Sequence, residues 1–251
     1  MTRVAAVADI HIGVDSVSRV APGLRHINER ADLLLLGGDL TRCGEPLEAR
    51  VVASELAGVE IPIVAVLGNH DHHAAQTTEV VGILEDAGVA VLDGTATTVS
   101  ADGTTVGIAG AKGFGGGFAG ANATAFGERA MKAFVEETRR EAARLHDALV
   151  HIRSRADRVI ALLHYAPVPE TLRGERLEIY PFLGSHLLAE AIDTAGADLV
   201  IHGHAHNGIE RGVTPGGIRV RNVAQPVIQR AYRIYELGEP AVRESPVAAT
   251  A

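Results

Sequence analysis

One pattern constrains this chain more than any other: an apolar run of strand length that gives way at once to a side chain able to bind a metal. The fullest case is Ala65-Val66-Leu67-Gly68-Asn69-His70-Asp71, where Gly68 lets the chain turn and an amide, an imidazole and a carboxylate follow in succession. Four further runs end in the same way. Val4–Ala8 leads into Asp9-Ile10-His11, Leu33–Leu36 into Gly38-Asp39, Val159–Leu163 into His164, and Asp198–Ile201 into His202-Gly203-His204-Ala205-His206. Ligands of open α/β sheets gather beyond the carboxyl ends of the strands, so five such endings predict one shared pocket.

The spread of these residues from Asp9 to His206 argues for a single domain over residues 1–238, because no boundary can be drawn without dividing the set. At 251 residues and 47% hydrophobic content the chain has ample material for one large core. Residues 239–251 read as a loosely held tail. A net charge of −8 speaks against a docking surface for long nucleic acid, which is usually strongly basic. An aspartate at position 9 comes too early for a signal-peptide apolar region, and no run is long enough to span a bilayer. With Cys43 as the only cysteine, and so no internal disulfide, the expectation is a soluble cytoplasmic protein, and Cys43 itself reads as a small buried or half-buried hydrophobe.

Between the strand ends, helices are expected over Pro22–Ala31, Pro46–Leu56, Thr77–Ala87 and Phe126–Arg155, the last from apolar residues recurring at three- and four-residue steps. Another should start at a Ser185 cap and run to Ala195. Ala96–Ser100 and Thr104–Ala109 form a hairpin around Asp102-Gly103, and Ile218–Val223 and Val227–Leu237 alternate as strands with one covered face do. The glycine-rich stretch 110–120 is either mobile or built to let something approach its backbone closely. In the irregular segment 169–184, Arg173 and Arg176 are solvated charges or a partner for a substrate phosphate.

Pooled, the strand-end groups are Asp9, His11, Asp39, Asn69, His70, His164, His204 and His206. They are too many for one metal and about right for two. Carboxylate, amide and imidazole donors without thiolates suit Mn, Fe, Co, Ni or Zn in an open site. Asp39, alone on its loop, is the natural bridge. Two cations roughly 3.5–4 Å apart can hold a hydroxide and clamp a phosphoryl oxygen for in-line attack on phosphorus. His70 is surplus to coordination and suits a donor to the leaving oxygen, with Asp71 placed to fix its ring. His72, His73 and His202 read as surface or packing residues, and so do Tyr165 and His186.

The ordered set Asp9-x-His11, Gly38-Asp39, Gly68-Asn69-His70-Asp71, His164 and Gly203-His204-x-His206 resembles the signature of the calcineurin-like metallophosphoesterases. The resemblance implies a four-layer α/β/β/α sandwich of two packed mixed sheets with a dinuclear site at the strand ends. It implies that one ion takes Asp9, His11, Asp39 and His206, and that the other takes Asp39, Asn69, His164 and His204. The activity it implies is hydrolysis of a small phosphodiester or phosphomonoester by a metal-bridging hydroxide. The competing reading is a non-catalytic interaction scaffold of the same fold, and a nuclease for long DNA or RNA is disfavoured by the acidic balance.

Overall fold

In a computed structural model, which describes residues 1–238, the strand-forming runs assemble into two sheets packed face to face. The expected tail, 239–251, lies outside the described residues. The first sheet takes β1 (Thr2–Val7), β2 (Leu33–Gly37), β3 (Ile63–Val66) and β4 (Val89–Leu92), all parallel. The second takes the hairpin β5 (Thr95–Ala101) and β6 (Thr104–Ala111), then β9 (Arg158–Leu163), β10 (Leu199–His202), β11 (Arg211–Val213) and β12 (Arg219–Asn222). Two-residue strands β7 (Gly117–Phe118) and β8 (Ala121–Asn122) form a separate hairpin, and β13 (Arg233–Leu237) closes the edge of the first sheet antiparallel to β1. The second sheet runs in the order β11-β12-β10-β9-β6-β5, with β6, β9, β10 and β12 parallel.

Period-2 alternation divides the core into layers. In β9, Ile160 and Leu162 face the first sheet, whereas Val159, Ala161 and Leu163 face outward onto Leu145, Leu149 and Ile152 of the helix Arg129–Arg153 and Leu188 and Ile192 of the helix His186–Ala195. On the other side, helices Pro46–Leu56 and Thr77–Asp86 cover the first sheet with Val52, Leu56, Val80 and Leu84. This is the expected α/β/β/α sandwich. Among the described residues no helix is long and apolar enough to cross a membrane.

Several local expectations are corrected. Val227–Leu237 is not one strand: Pro226 sits in the first turn of a short helix, Gln225–Ile228, and a left-handed Gln229 ends it before β13. Pro22–Ala31 divides into two helical turns, Ala21–Leu24 and Ile27–Arg30, because His26 departs from helical backbone and Gly23 is pressed against Ala231. Strand β11 has no counterpart among the expected elements; three residues carry too little alternation to register. Cys43 is exposed, since its backbone belongs to the surface turn whose N–H groups run onto Glu48. The glycine-rich stretch follows the close-approach reading: Gly116 N–H donates to Pro181 O at 2.6 Å, Gly117 N–H to Gly184 O at 2.9 Å, and Thr138 Oγ1–H to Gly115 O at 2.6 Å.

The sheets meet closely at Gly110 of β6, where an added Cβ would lie 2.7 Å from Leu92 Cβ and 2.8 Å from Val66 Cγ1 across the interface. Gly110→Leu should therefore overpack this seam and cost about 1–3 kcal/mol. A urea unfolding curve would show it as a lowered midpoint.

Candidate metal centre

Because β1, β2 and β3 are parallel to one another, and β6, β9 and β10 likewise, each sheet presents its carboxyl ends along one edge. Beyond those ends the loops bond to each other. Asp9 N–H donates to Gly38 O at 2.9 Å, His11 N–H to Asp39 O at 3.0 Å and Ile12 N–H to Leu40 O at 2.9 Å, so the first two strands continue past the sheet as a paired loop. His70 N–H donates to Asp39 Oδ1 at 2.8 Å, and His204 N–H reaches Asp9 Oδ2 at 2.9 Å.

The backbone takes an unusual form to do this. Asp9 (φ 59°), His11 (φ 44°), Asp39 (φ 50°) and His204 (φ 70°) are all left-handed, a conformation that non-glycine residues hold only when their surroundings over-determine it. Asp9 and His11 therefore converge through two left-handed turns. Glycines admit the close contacts: a Cβ at Gly68 would overlap the Asp39 carboxylate, and one at Gly203 would strike Asp9 Oδ2 and Ala8 Cβ.

The side chains form two groups with one member in common. Ligand atoms of Asp9, His11, Asp39 and His206 all lie within 4.8 Å of one another, as do those of Asp39, His164 and His204. His206 Nε2 is 2.9 Å from Asp9 Oδ1 and 3.5 Å from His11 Nε2, which is itself 3.8 Å from Asp39 Oδ2. In the second group, His164 Nε2 stands 3.0 Å from Asn69 Oδ1 and 3.4 Å from Asp39 Oδ1. All seven residues expected as ligands are thus brought to one place.

The donor chemistry fits cations. His164 is fully buried, and its Nδ1–H donates to Gly37 O at 2.9 Å, so a neutral ring turns the Nε2 lone pair toward two oxygen acceptors with no proton between them. Burial pushes His164 well below the ordinary imidazole range, His11 down to about 4 and His204 down to about 3. Neutral imidazole is the form that binds metal. Asp9 is pushed up to about 6 by burial, an effect opposed by its contact with His206, which is itself raised chiefly by that hydrogen bond. A cation would relieve the strain of gathering Asp9 and Asp39, both at most 2% exposed, in one place.

His70 lies at the edge of the first group. Its Nδ1–H donates to Arg42 O at 2.8 Å, and its ring meets His11 edge-on at 4.6 Å with Nε2 4.0 Å from Asp39 Oδ2. Asp71 does not orient that ring, contrary to the sequence expectation. Its carboxylate, fully buried, accepts from Leu40 N–H (3.2 Å), Thr41 N–H (2.8 Å), Thr41 Oγ1–H (2.6 Å) and Gly68 N–H (2.8 Å). It ties the loop after β2 to the elbow after β3 and so sets where Asp39 and Asn69 stand. His202 is a packing residue, bonded to Thr171 Oγ1 and Gly203 O, while His72 and His73 are exposed. Tyr165 packs on the ring of His204 at 4.4 Å between centroids, a contact its sequence position did not reveal.

The sequence model of the calcineurin-like phosphoesterases matches residues 2–208, a span that contains every residue of this cluster. The chain belongs to the calcineurin-like phosphoesterase family. The glycerophosphodiester phosphodiesterase GpdQ of Enterobacter lignolyticus (strain SCF1) is 35% identical over 66 residues, which are 26% of this phosphoesterase and 23% of that enzyme. The match therefore spans about a quarter of the relative. Among solved structures, the phosphopantetheinyl hydrolase PptH of Mycobacterium tuberculosis superposes with a TM-score of 0.62 at 14% identity, covering 98% of this chain and 99% of the other. The protein TT1561 of Thermus thermophilus gives 0.55 at 18% identity, with 88% of both chains covered. At these identities the structural likeness concerns the fold.

Asp71→Asn exchanges an acceptor of four hydrogen bonds for a group that presents N–H to N–H. The variant should lose about 2 kcal/mol or more of stability and bind metal less fully, read from urea unfolding and metal content together. A fully stable variant with only catalysis impaired would return Asp71 to a role through His70.

Proposed function

We propose that this phosphoesterase hydrolyses a small phosphodiester or phosphomonoester with two divalent first-row ions. In this reading one ion is held by Asp9, His11, Asp39 and His206 and the other by Asp39, Asn69, His164 and His204. The observation that carries the reading is the membership of Asp39 in both donor groups, since one carboxylate with two oxygens is the means of holding two cations close together. When bound, the ions would polarise a phosphoryl oxygen and supply an attacking hydroxide from water at neutral pH.

The residues of the chain do the remainder. Asp39, fixed by His70 N–H and by its left-handed backbone, sets the separation of the two donor groups. His164, anchored through Gly37, and His204, packed on Tyr165, hold the far group rigid. His70 spends Nδ1–H on Arg42 O and presents Nε2 to the cluster at a partly open position, where the doubly protonated ring can donate Nε2–H to the oxygen that leaves phosphorus. One sequence relative supports a phosphoester as the substrate class, since it bears the name of a glycerophosphodiester phosphodiesterase.

Manganese-supplemented protein should cleave bis-p-nitrophenyl phosphate or p-nitrophenyl phosphate. His70→Ala should keep its metal content and lose about 10²–10⁴ in kcat, and full activity in that variant would refute the role. Asn69→Ala should bind fewer ions per chain by elemental analysis and turn over neither ester. Retention of both ions would remove Asn69 from the ligand set.

A further inference from the structure

A cavity of about 550 Å³ opens beside the metal centre, lined by aliphatic residues such as Leu67, Val81 and Leu92 and by polar ones that include His72, Glu85, Asp93 and Lys112. Leu67 and His72 bracket the elbow that carries Asn69 and His70. Lys112 is the first residue after β6, and its carbonyl accepts the N–H groups of His164 (3.2 Å) and Tyr165 (3.0 Å). The cavity is therefore walled by the neighbours of the Asn69–His164 half of the cluster. Its volume suits a small organic group, and its walls are of the kind that bury one.

Lys112 is unusual within it. The ammonium is half-buried, lies 5.0 Å from the ring centroid of Phe114 and 5.1 Å from that of Tyr165, and donates to Gly113 O at 2.9 Å. Three carboxylates reach it through their field, and their direct partners are two arginines: Arg144 is shared by Glu141 and Asp93, at 3.2 and 2.9 Å, and Arg140 pairs with Glu137. Of the two acidic groups on the cavity lining, Asp93 shares its arginine with Glu141 and Glu85 is exposed to solvent. Aromatic faces and one carbonyl hold the ammonium in position, and among the described residues no carboxylate pairs with it directly, on the wall of a hollow that mixes aliphatic and polar side chains.

We propose that this cavity receives the organic arm of the phosphoester and that Lys112 recognises an anionic oxygen group carried on that arm, beyond the phosphorus under attack. The inference rests on the phosphoesterase reading of the metal centre and adds the chemical class of substrate: an ester whose alcohol is apolar near the phosphorus and negatively charged further out. Lys112 is a specificity residue here and takes no part in bond cleavage.

The test uses matched probes that differ in one charge. Phenyl phosphate is compared with 3- and 4-carboxyphenyl phosphate for turnover, and benzylphosphonate with 4-carboxybenzylphosphonate for binding. Lys112→Met should raise KM for the better carboxyphenyl ester about tenfold, the order expected for a lost charge-assisted hydrogen bond. KM for phenyl phosphate should stay within twofold and kcat should not change, while Lys112→Arg should restore most of the preference. Binding is read separately, because Lys112 and Lys132 are the only lysines in the chain. After reductive ¹³C-methylation of zinc-supplemented protein, 4-carboxybenzylphosphonate should shift the Lys112 resonance saturably and leave Lys132 in place, and benzylphosphonate should shift it far less.

Turnover with equal KM changes on charged and uncharged esters, and no selective Lys112 shift, would overturn the cavity assignment and leave the hydrolase standing. A selective, saturable Lys112 shift in a protein that turns over none of the esters would support the cavity and remove the hydrolase.

Discussion

The structure depends on bringing two nearly inaccessible carboxylates, Asp9 and Asp39, to one edge of the molecule among imidazoles that burial keeps neutral. Left alone, such a gathering is unfavourable, because desolvation penalises each charge and the two repel. What offsets it is a dense set of backbone donors: His204 N–H on Asp9, His70 N–H on Asp39, and the loop-to-loop bonds from Asp9 to Ile12. The rest of the fold is arranged so that these donors arrive together. Parallel strands deliver them on one edge, glycines at 68 and 203 allow the contact, and left-handed residues turn the side chains inward.

Asp71 shows how far this organisation extends from the ligands. A buried carboxylate next to a histidine in sequence invites a catalytic reading. In space it is the acceptor that joins two loops from neighbouring strands, and its four donors account for its burial. Positioning of Asp39 and Asn69 is a property of that junction. His70 is held instead by the Arg42 carbonyl, a backbone partner that no side-chain pattern announces.

Much of this was legible beforehand. Strand ends such as Val66-Leu67-Gly68-Asn69 carry their meaning locally, because apolar runs fix where a strand stops and the next residue must leave the sheet. The seven expected ligands follow from that rule, and they do converge. The same rule applied to Val106–Ala111 points to Lys112, but glycines on both sides place that residue in a stretch whose composition speaks of backbone freedom and not of a side-chain role. The left-handed turns at Asp9 and His11 were hidden for a different reason: they are held by hydrogen bonds to Gly38 and Asp39, 29 and 28 residues away. The helix at Gln225–Ile228 escapes a sequence reading because alternation in a short window cannot be weighed against a proline in a first turn.

His164 carries a consequence for how the protein matures. It belongs to the second sheet, yet its Nδ1–H is fixed by Gly37 of the first, and Asp9 of the first sheet is bonded by His204 of the second. Neither sheet alone owns a complete donor group, and β1 obtains its edge partner, β13, only from residues 233–237. A ribosome-bound chain that has made only its first half can therefore offer an ion no finished berth. The donor groups are complete only where both sheets are in place, so a cation held by them would act as a rivet across the seam between the sheets.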